Sequence, residues 1–359
     1  MLIVGGGIAG LALAPTLERK GAAVELIERT PGWRAAGTGR YLPGNAARAL
    51  RALGLERQVV SRSVEIPRQR FSDHRGRLLC EVDVARLWEA VGPCLALHRT
   101  ELHELLREAA GDVPIRLGLS VEQLTQRDGV VSVVFSDGTA GEYDLVVGAD
   151  GIESAVRRLT FGAAAVPRPV GQTGWRWLAP RAPGVTTWSV MLGRRTAFLT
   201  IPVDDDSVYC YGDVVSTPGG DAPELELLAD FSDPAPALLE AASDVHTSTI
   251  EEVALDSWAQ GRVVLLGDAA HATSPNMAQG AAMALEDALV LSDCLGTHAT
   301  PDAIAAFQAR RRPRTDWVRA QTHRRDRTRY LPAAIRNTVL RAVGRRIFHA
   351  NYRALLDEA

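Results

Sequence analysis

Arg262-Val-Val-Leu-Leu-Gly-Asp-Ala-Ala-His-Ala-Thr-Ser-Pro-Asn-Met-Ala-Gln-Gly-Ala-Ala-Met-Ala-Leu-Glu-Asp287 is the stretch on which the reading of the chain turns. Val263 to Leu266 is a β-branched and leucine run, long enough for a buried parallel strand and too short for a helix, and Gly267-Asp268 ends it. From Ala281 to Leu295 the apolar positions return at helical spacing, which predicts strand, loop and helix, with Gly280 where the helix N-terminus approaches a ligand. An acid at the carboxyl end of a strand, followed by free helix N–H groups, suits a ligand with hydroxyl donors and a partly anionic ring. A flavin fits that description.

The start of the chain supplies the other half of such a site. Met1 to Val4 is apolar, Gly5-Gly-Gly-Ile-Ala-Gly10 is a G-x-G-x-x-G, Leu11 to Arg19 has a helical pattern, and Ala23 to Ile27 is a second strand closed by Glu28. Alone the glycine pattern is weak. Between strand and helix, with an acid ending the next strand, it has the context that the dinucleotide fingerprint requires. The glycines let the backbone reach a pyrophosphate, and Glu28 can accept both hydroxyls of an adenosine ribose. An acid there disfavours a 2′-phosphate, so FAD or NAD is expected and not NADP.

Composition sets the class. At 359 residues, 46% hydrophobic and 23% charged, the chain can build one large or two medium domains, and nothing in it reads as disordered. A net charge of −3 gives no reason to expect nucleic acid, and no apolar run approaches a membrane span. The N-terminal apolar segment leads directly into the glycine motif, so it reads as a core strand and not a signal peptide, and a cytoplasmic location is expected. Cys80, Cys94, Cys210 and Cys294 are widely separated, which argues against a disulfide framework and against a metal site. Lys20 is the only lysine, which excludes a Walker P-loop and leaves no plausible Schiff-base residue.

Between the two motifs, Thr30 to Gly39 reads as a polar connection, Asn45 to Gly54 as a helix with a glycine stop, and Phe71 to Val84 as a hairpin around Arg75-Gly-Arg77. Leu97 to Ala110 predicts a helix opened by Arg99, a residue suited to clamping a pyrophosphate. Ile115–Leu119, Val130–Phe135 and Glu142–Val147 read as strands. Leu145-Val-Val-Gly-Ala-Asp-Gly-Ile-Glu-Ser-Ala-Val-Arg157 then repeats the strand, tight turn and helix of the first motif, with Ser154 as cap.

Three motifs in this order resemble the flavoprotein aromatic hydroxylases of the para-hydroxybenzoate hydroxylase type. The resemblance covers about residues 1 to 320, including Arg310-Arg-Arg-Pro-Arg314, and Ala278 to Asp287 looks closest to the salicylate hydroxylase, 3-hydroxybenzoate hydroxylase and zeaxanthin epoxidase branch. It implies that Gly5, Gly7, Gly10 and Glu28 hold the ADP half of FAD, with Ala9 and Arg29 also cofactor-binding and Arg99 near the pyrophosphate. It implies Asp268 on the ribityl chain, Asp150 and Gly151 in contact with FAD and NAD(P)H, and Pro275 and Gly280 beside the isoalloxazine, with Ala281 also cofactor-binding. Two positions depart from the pattern. Arg40 stands where relatives carry an apolar residue after Gly-x-Gly, hinting at a charge close to the flavin, and Ala282 stands where many carry an asparagine.

The implied fold is α/β: a FAD-binding Rossmann-like domain with an interleaved antiparallel-sheet substrate domain and C-terminal helices. The expected boundaries are 1–70, 98–165 and 255–300 for the FAD domain, 71–97 and 166–254 for the substrate domain, and 301–359 for the helical region. Gly174–Leu178, Thr187–Leu192, Ala197–Val203 and Val208–Asp213 read as strands of a sheet that roofs the flavin, while Glu224–Leu228 and Ala235–Ala242 look helical. Trp175, Trp177, Phe198 and Tyr211 are the candidate substrate-lining residues, although alternating aromatics are core as often as pocket wall. The arginine-rich Arg324-Arg-Asp-Arg327 and Arg345-Arg346 read as solvated or dimer-facing helix, in a monomer or homodimer.

The implied chemistry is monooxygenation. Reduced FAD, replenished by transient NADH or NADPH, takes O2 to a C4a-hydroperoxide that hydroxylates or epoxidises a small aromatic or polyunsaturated substrate. The protein orients the substrate and can supply a base, with His271, Gln279 and Tyr209 as candidates and a loop-shaping role equally open for His271. A halogenase and a flavin-dependent reductase or saturase are the rival readings on the same fold. The lysine essential to halogenases has no counterpart here.

Overall fold

The computed structural model describes residues 1–33, 38–162, 165–216 and 223–359, so residues 34–37 of the Thr30 to Gly39 connection lie outside it. Its first layer is a six-stranded sheet in the order Ala259–Gln260, Val263–Leu265, Val146–Gly148, Leu2–Val4, Glu25–Glu28, Ile115–Leu117. All neighbours pair in parallel except the first two. The central strands are short continuous apolar runs because both faces are covered. Helix Ile8–Glu18 is buried along most of its length and packs on helix Gly280–Thr297.

A seven-stranded sheet lies over this layer, formed by His246–Glu252, Arg168–Pro180, Ser207–Val215, Thr196–Pro202, Trp188–Leu192, Arg68–Asp73 and Leu78–Asp83 in that order. Its two faces meet different partners. One face packs with Phe231, Leu228 and Leu238 into a separate small core, and the other joins the main core through Leu178, Leu199 and Tyr209. Between the layers, Gly39–Leu42 pairs with Leu95–His98 in a three-stranded sheet. Helices Thr300–Thr328 and Ala333–Tyr352 close the molecule. The mixed α/β architecture with C-terminal helices is the expected one.

Several local expectations are corrected. Glu142–Val147 is two strands in two sheets, Ala140–Tyr143 and Val146–Gly148, broken at Asp144-Leu145. The helix expected from Leu97 begins at Arg99, because Leu95–His98 is first used as a strand. The short strand at Gly174–Leu178 is a thirteen-residue one, Arg168–Pro180.

Candidate active site

The three motifs converge at the carboxyl ends of the parallel strands. Gly5, at φ +111°, runs so close to the middle motif that a Cβ would lie 2.4 Å from the Ala149 carbonyl oxygen, and one on Gly10 would lie 2.0 Å from that of Gly5. The late motif closes on the same point, since a Cβ on Gly267 would lie 3.4 Å from those of Ala9 and Ala284. Only glycine admits this approach. Gly7 differs, with open space where its Cβ would point and the N–H groups of helix Ile8–Glu18 directly after it. That is a cradle for a phosphate.

Glu28 ends its strand as expected. Its carboxylate accepts from the Gly6 N–H at 2.8 Å and from the N–H and hydroxyl of Thr30 at 2.9 and 2.5 Å. Burial pushes its pKa up, but these hydrogen bonds outweigh burial and hold it below the ordinary glutamate value. His103 Nε2 meets the Gly6 carbonyl at 2.8 Å and its ring packs on Trp33, which stiffens the glycine loop from the side. Arg29 and Arg99 are exposed at the rim. Asp268 is exposed at the start of its helical turn, and its Oδ1 lies 3.9 Å from where a Gly280 Cβ would stand, so the acid sits beside the N-terminus of Gly280–Thr297. Pro275 is exposed on the loop before it, and Ala281 is buried in the helix's first turn.

Arg40 is explained by strand alternation. In Gly39–Leu42, a Cβ on Gly39 would meet Tyr209, and the Tyr41 ring packs tilted against Trp188 at 4.3 Å between centroids, so 39 and 41 face the roof sheet. Arg40 therefore points the other way, toward Arg99 and Asp268, and its Nε is buried with no partner among the described residues. Burial, then the neighbouring Arg99 and Arg176 cations, pull its guanidinium below the ordinary arginine range, against Tyr209 and Asp268. A half-buried guanidinium with an unpaired Nε fits an anionic or carbonyl-rich group of a bound flavin dinucleotide.

Several expected site residues are occupied elsewhere. His271 Nε2 is 2.6 Å from Asp287 Oδ2 and its ring packs on Trp258, so it shapes the loop and is not free to reach a substrate. Gln279 is buried and exchanges hydrogen bonds with Asn45 at 2.9 and 3.3 Å. Asp150 accepts from Ser154, Ala155 and Val156, which makes its carboxylate the anchor of helix Ala155–Phe161, while the positive-φ Gly151 of the same turn has open space where a Cβ would stand. Trp175, Trp177 and Phe198 lie on the outer face of the roof sheet: Trp177 Nε1 donates to the Leu238 carbonyl at 3.1 Å and its ring stacks on Phe198.

The register identifies the inner face. Arg176 stands opposite Tyr211 and His246, and Leu178 opposite Tyr209. Ile201 and Leu199 continue the two rows to Trp188 and Val190, and then to Gln69 and Phe71. Of the expected residues, Tyr209 and Tyr211 are on this face. Arg176 was overlooked although it sits between the two tryptophans; its Nη1 donates to Ser248 Oγ at 2.7 Å and its guanidinium lies 5.2 Å from the Tyr211 ring centroid. Burial drives the Tyr211 hydroxyl well above its usual pKa, so it is held protonated. Three buried polar groups on this face lack a partner among the described residues: the amide of Gln69 at both its atoms, Trp188 Nε1 and Tyr211 Oη.

Comparison with known proteins agrees with this geometry. Residues 1–322 match the model of the FAD binding domain family, and the chain belongs to that family. It is 36% identical over 337 residues to the aurachin C monooxygenase/isomerase of Stigmatella aurantiaca, covering 90% of this chain and 88% of the relative. It is 36% identical over 340 residues to the 2-heptyl-3-hydroxy-4(1H)-quinolone synthase of Pseudomonas aeruginosa, covering 90% and 87%. The crystal structure of Klebsiella pneumoniae HpxO complexed with FAD and uric acid has the same fold, with a TM-score of 0.83 at 24% identity, over all of this chain and 93% of that one. The protein is an FAD-dependent monooxygenase of the aromatic-hydroxylase type, with NADH or NADPH as reductant. The findings support this reading and not the reductase or halogenase. Among the described residues no helix is long and apolar enough to cross a membrane, and no cluster could hold a metal ion.

Proposed function

We propose that the substrate is a small heteroaromatic ring carrying its own hydrogen-bonding groups, hydroxylated at the expense of NAD(P)H and O2 in the cytoplasm. The observation that carries this reading is the set of unpaired polar atoms on the inner face of the roof sheet. Buried polar groups cost free energy unless paired, and a ring with carbonyl and N–H or hydroxyl edges pairs them where a polyunsaturated hydrocarbon cannot. The name of the quinolone synthase relative points to the same chemistry.

The roles follow from position. Residues 1–70, 98–165 and 255–300 hold FAD, which supplies the activated oxygen when reduced; 71–97 and 166–254 form the substrate half. Gly5, Gly7, Gly10 and the following helix turn cradle the pyrophosphate with Arg99, Glu28 takes the ribose hydroxyls, and Asp268 the ribityl chain. Gly151 leaves room for the dinucleotides, and Pro275 and Gly280 border the ring. Tyr209, Tyr211 and Arg176 hold the substrate's polar edge, with the Tyr209 hydroxyl, raised in pKa by burial against the pull of Arg176 and Arg40, donating to it. The apolar members of the same face exclude water.

The test is NADH and NADPH oxidation by the FAD-loaded enzyme across 4-quinolones, hydroxypyridines, hydroxybenzoates and a carotenoid, followed by turnover under labelled O2. The expected result is stimulation by a hydrogen-bonding heteroaromatic and one labelled oxygen atom in its product. Stimulation by the hydrocarbon alone, or product formed equally without O2, overturns the reading.

A further inference from the structure

The C-terminal helix Ala333–Tyr352 turns one side inward and leaves the other uncovered. Arg336, Gly344, Phe348 and Tyr352 are buried, with Phe348 against Phe71 and the Tyr352 hydroxyl donating to the Met277 carbonyl of the late loop at 3.2 Å. On the opposite side Leu331, Ile335 and Val339 are 43%, 55% and 40% exposed. Ala342 and Arg346, also exposed, continue that line. Steps of four, three and four residues keep Ile335, Val339, Ala342 and Arg346 on one stripe of the helix, and Leu331 precedes its N-cap Pro332. Single exposed apolar residues are ordinary, whereas a continuous stripe marks a contact surface.

Charge identifies what the stripe meets. Helix Ala333–Tyr352 contains no Asp or Glu, and Arg341, Arg345 and Arg346 are exposed on it. Arg345 Nε donates to the carbonyl of Glu81 at 2.8 Å, not to a carboxylate. Residues 301–359 hold fourteen arginines against five acids, although the whole chain is at −3. A second copy docked across a two-fold axis would set these arginines against their own images, with no acid on the helix to answer them. An anionic lipid surface answers both features together, taking the apolar stripe at the acyl boundary and the arginines among the phosphates.

We propose that this face, carrying Leu331, Ile335, Val339 and Arg346 with Arg345 at its edge, docks the enzyme peripherally on anionic phospholipid bilayers. The helix lies on the surface and does not cross it, and its buried side touches the loop that borders the active site.

The experiment is co-sedimentation of the FAD-loaded full chain with vesicles of phosphatidylcholine alone or mixed with phosphatidylglycerol, at low and high salt. Binding to the mixed vesicles, weakened by salt and absent with phosphatidylcholine alone, is expected. Ile335→Asp with Val339→Asp, and separately Arg345→Glu with Arg346→Glu, each lower binding by about tenfold or more. FAD content and melting temperature stay at wild-type values, because all four side chains are exposed. Failure to sediment with the mixed vesicles, or binding that survives both double substitutions, overturns the proposal. So does a dimer in light scattering that Ile335→Asp dissociates without any vesicle binding, which would assign the face to a second copy.

Discussion

Asp287 organises the floor of the late motif more than any residue that faces a ligand. Its carboxylate accepts from the Gly267 N–H at 2.9 Å, from His271 at 2.6 Å and from Arg311 Nε at 2.8 Å, and Arg311 in turn reaches Glu286 at 2.7 Å. Glu286 also accepts from Arg314 and Asn45. Burial pushes the Asp287 pKa up, but His271 and Arg311 outweigh it and hold it at about 2. Because the folded value is depressed below the unfolded value of about 3.9, the stabilisation is complete above about pH 4 and is lost as pH falls toward 2. Asp287→Asn is expected to cost on the order of 3 kcal/mol at neutral pH, since it leaves buried cations short of their partner. Urea denaturation of both proteins from neutral pH into this acid range checks it: the stability gap should narrow there, and a constant gap would show that the carboxylate charge is not the cause. The sequence displayed Glu286 and Asp287 but not this role, because Arg311 lies 24 residues away and an acidic pair in a helix pattern resembles a solvated face.

In the roof sheet, strands were legible and faces were not. Alternation discloses which side of a strand is buried only when the other side meets water. Here Arg168–Pro180 carries Trp175, Trp177 and Ala179 into the outer core and Gly174, Arg176 and Leu178 toward the cofactor half, so both sides are covered and the larger aromatics drew the assignment of a pocket wall. The same limit explains why Glu142–Val147 read as one strand: the break at Asp144-Leu145 changes the sheet partner without changing the β-like composition. The nucleotide fingerprint suffered no such ambiguity, because glycine spacing and the acid at Glu28 are backbone and charge requirements. A pair of substitutions separates the two faces. Trp177→Ala, at a fully buried position stacked on Phe198, should cost about 3–5 kcal/mol of stability and leave KM unchanged. Arg176→Leu should do the reverse, raising KM by about tenfold, the loss of one charge-assisted hydrogen bond, with little change in melting temperature. Thermal melts and steady-state kinetics on the same preparations decide it; a KM effect confined to Trp177→Ala would place the substrate on the outer face.

Across the whole molecule, one polar chain joins the substrate sheet to the flavin loop through the C-terminal helices. Arg329 pairs with Asp213 on the inner face of the roof sheet, at 2.8 Å for Nη2 to Oδ2, and the same nitrogen donates to Asn276 Oδ1 at 3.1 Å. Asn276 sits between Pro275 and Met277 in the late loop and also donates to Asp326, which accepts from Gln172 of the roof sheet at 2.6 Å. Asp213, Asn276 and Arg329 are far apart in sequence and come from the roof sheet, the late loop and the end of helix Thr300–Thr328, so no local pattern could have announced the link. Substrate seated as proposed against Tyr211 and Arg176 would press on the strand that carries Asp213, and this chain would pass a shift there to the late loop. Such an arrangement suits control of flavin reduction by substrate, which spares NAD(P)H from being spent on hydrogen peroxide. Asn276→Ala is the clean probe, because Arg329 keeps Asp213 and Asp326 keeps Gln172; Arg329→Leu would strand a buried carboxylate and destabilise the fold by about 3–5 kcal/mol. A coupling of about 1–3 kcal/mol corresponds to a 5- to 150-fold effect, so Asn276→Ala should remove most of the substrate's acceleration of flavin reduction while leaving its binding close to wild type. Anaerobic stopped-flow reduction by NAD(P)H, with and without substrate, measures that ratio directly, and peroxide released per product should rise in parallel. If the variant retains the full acceleration, the link through Asn276 carries structure and not control.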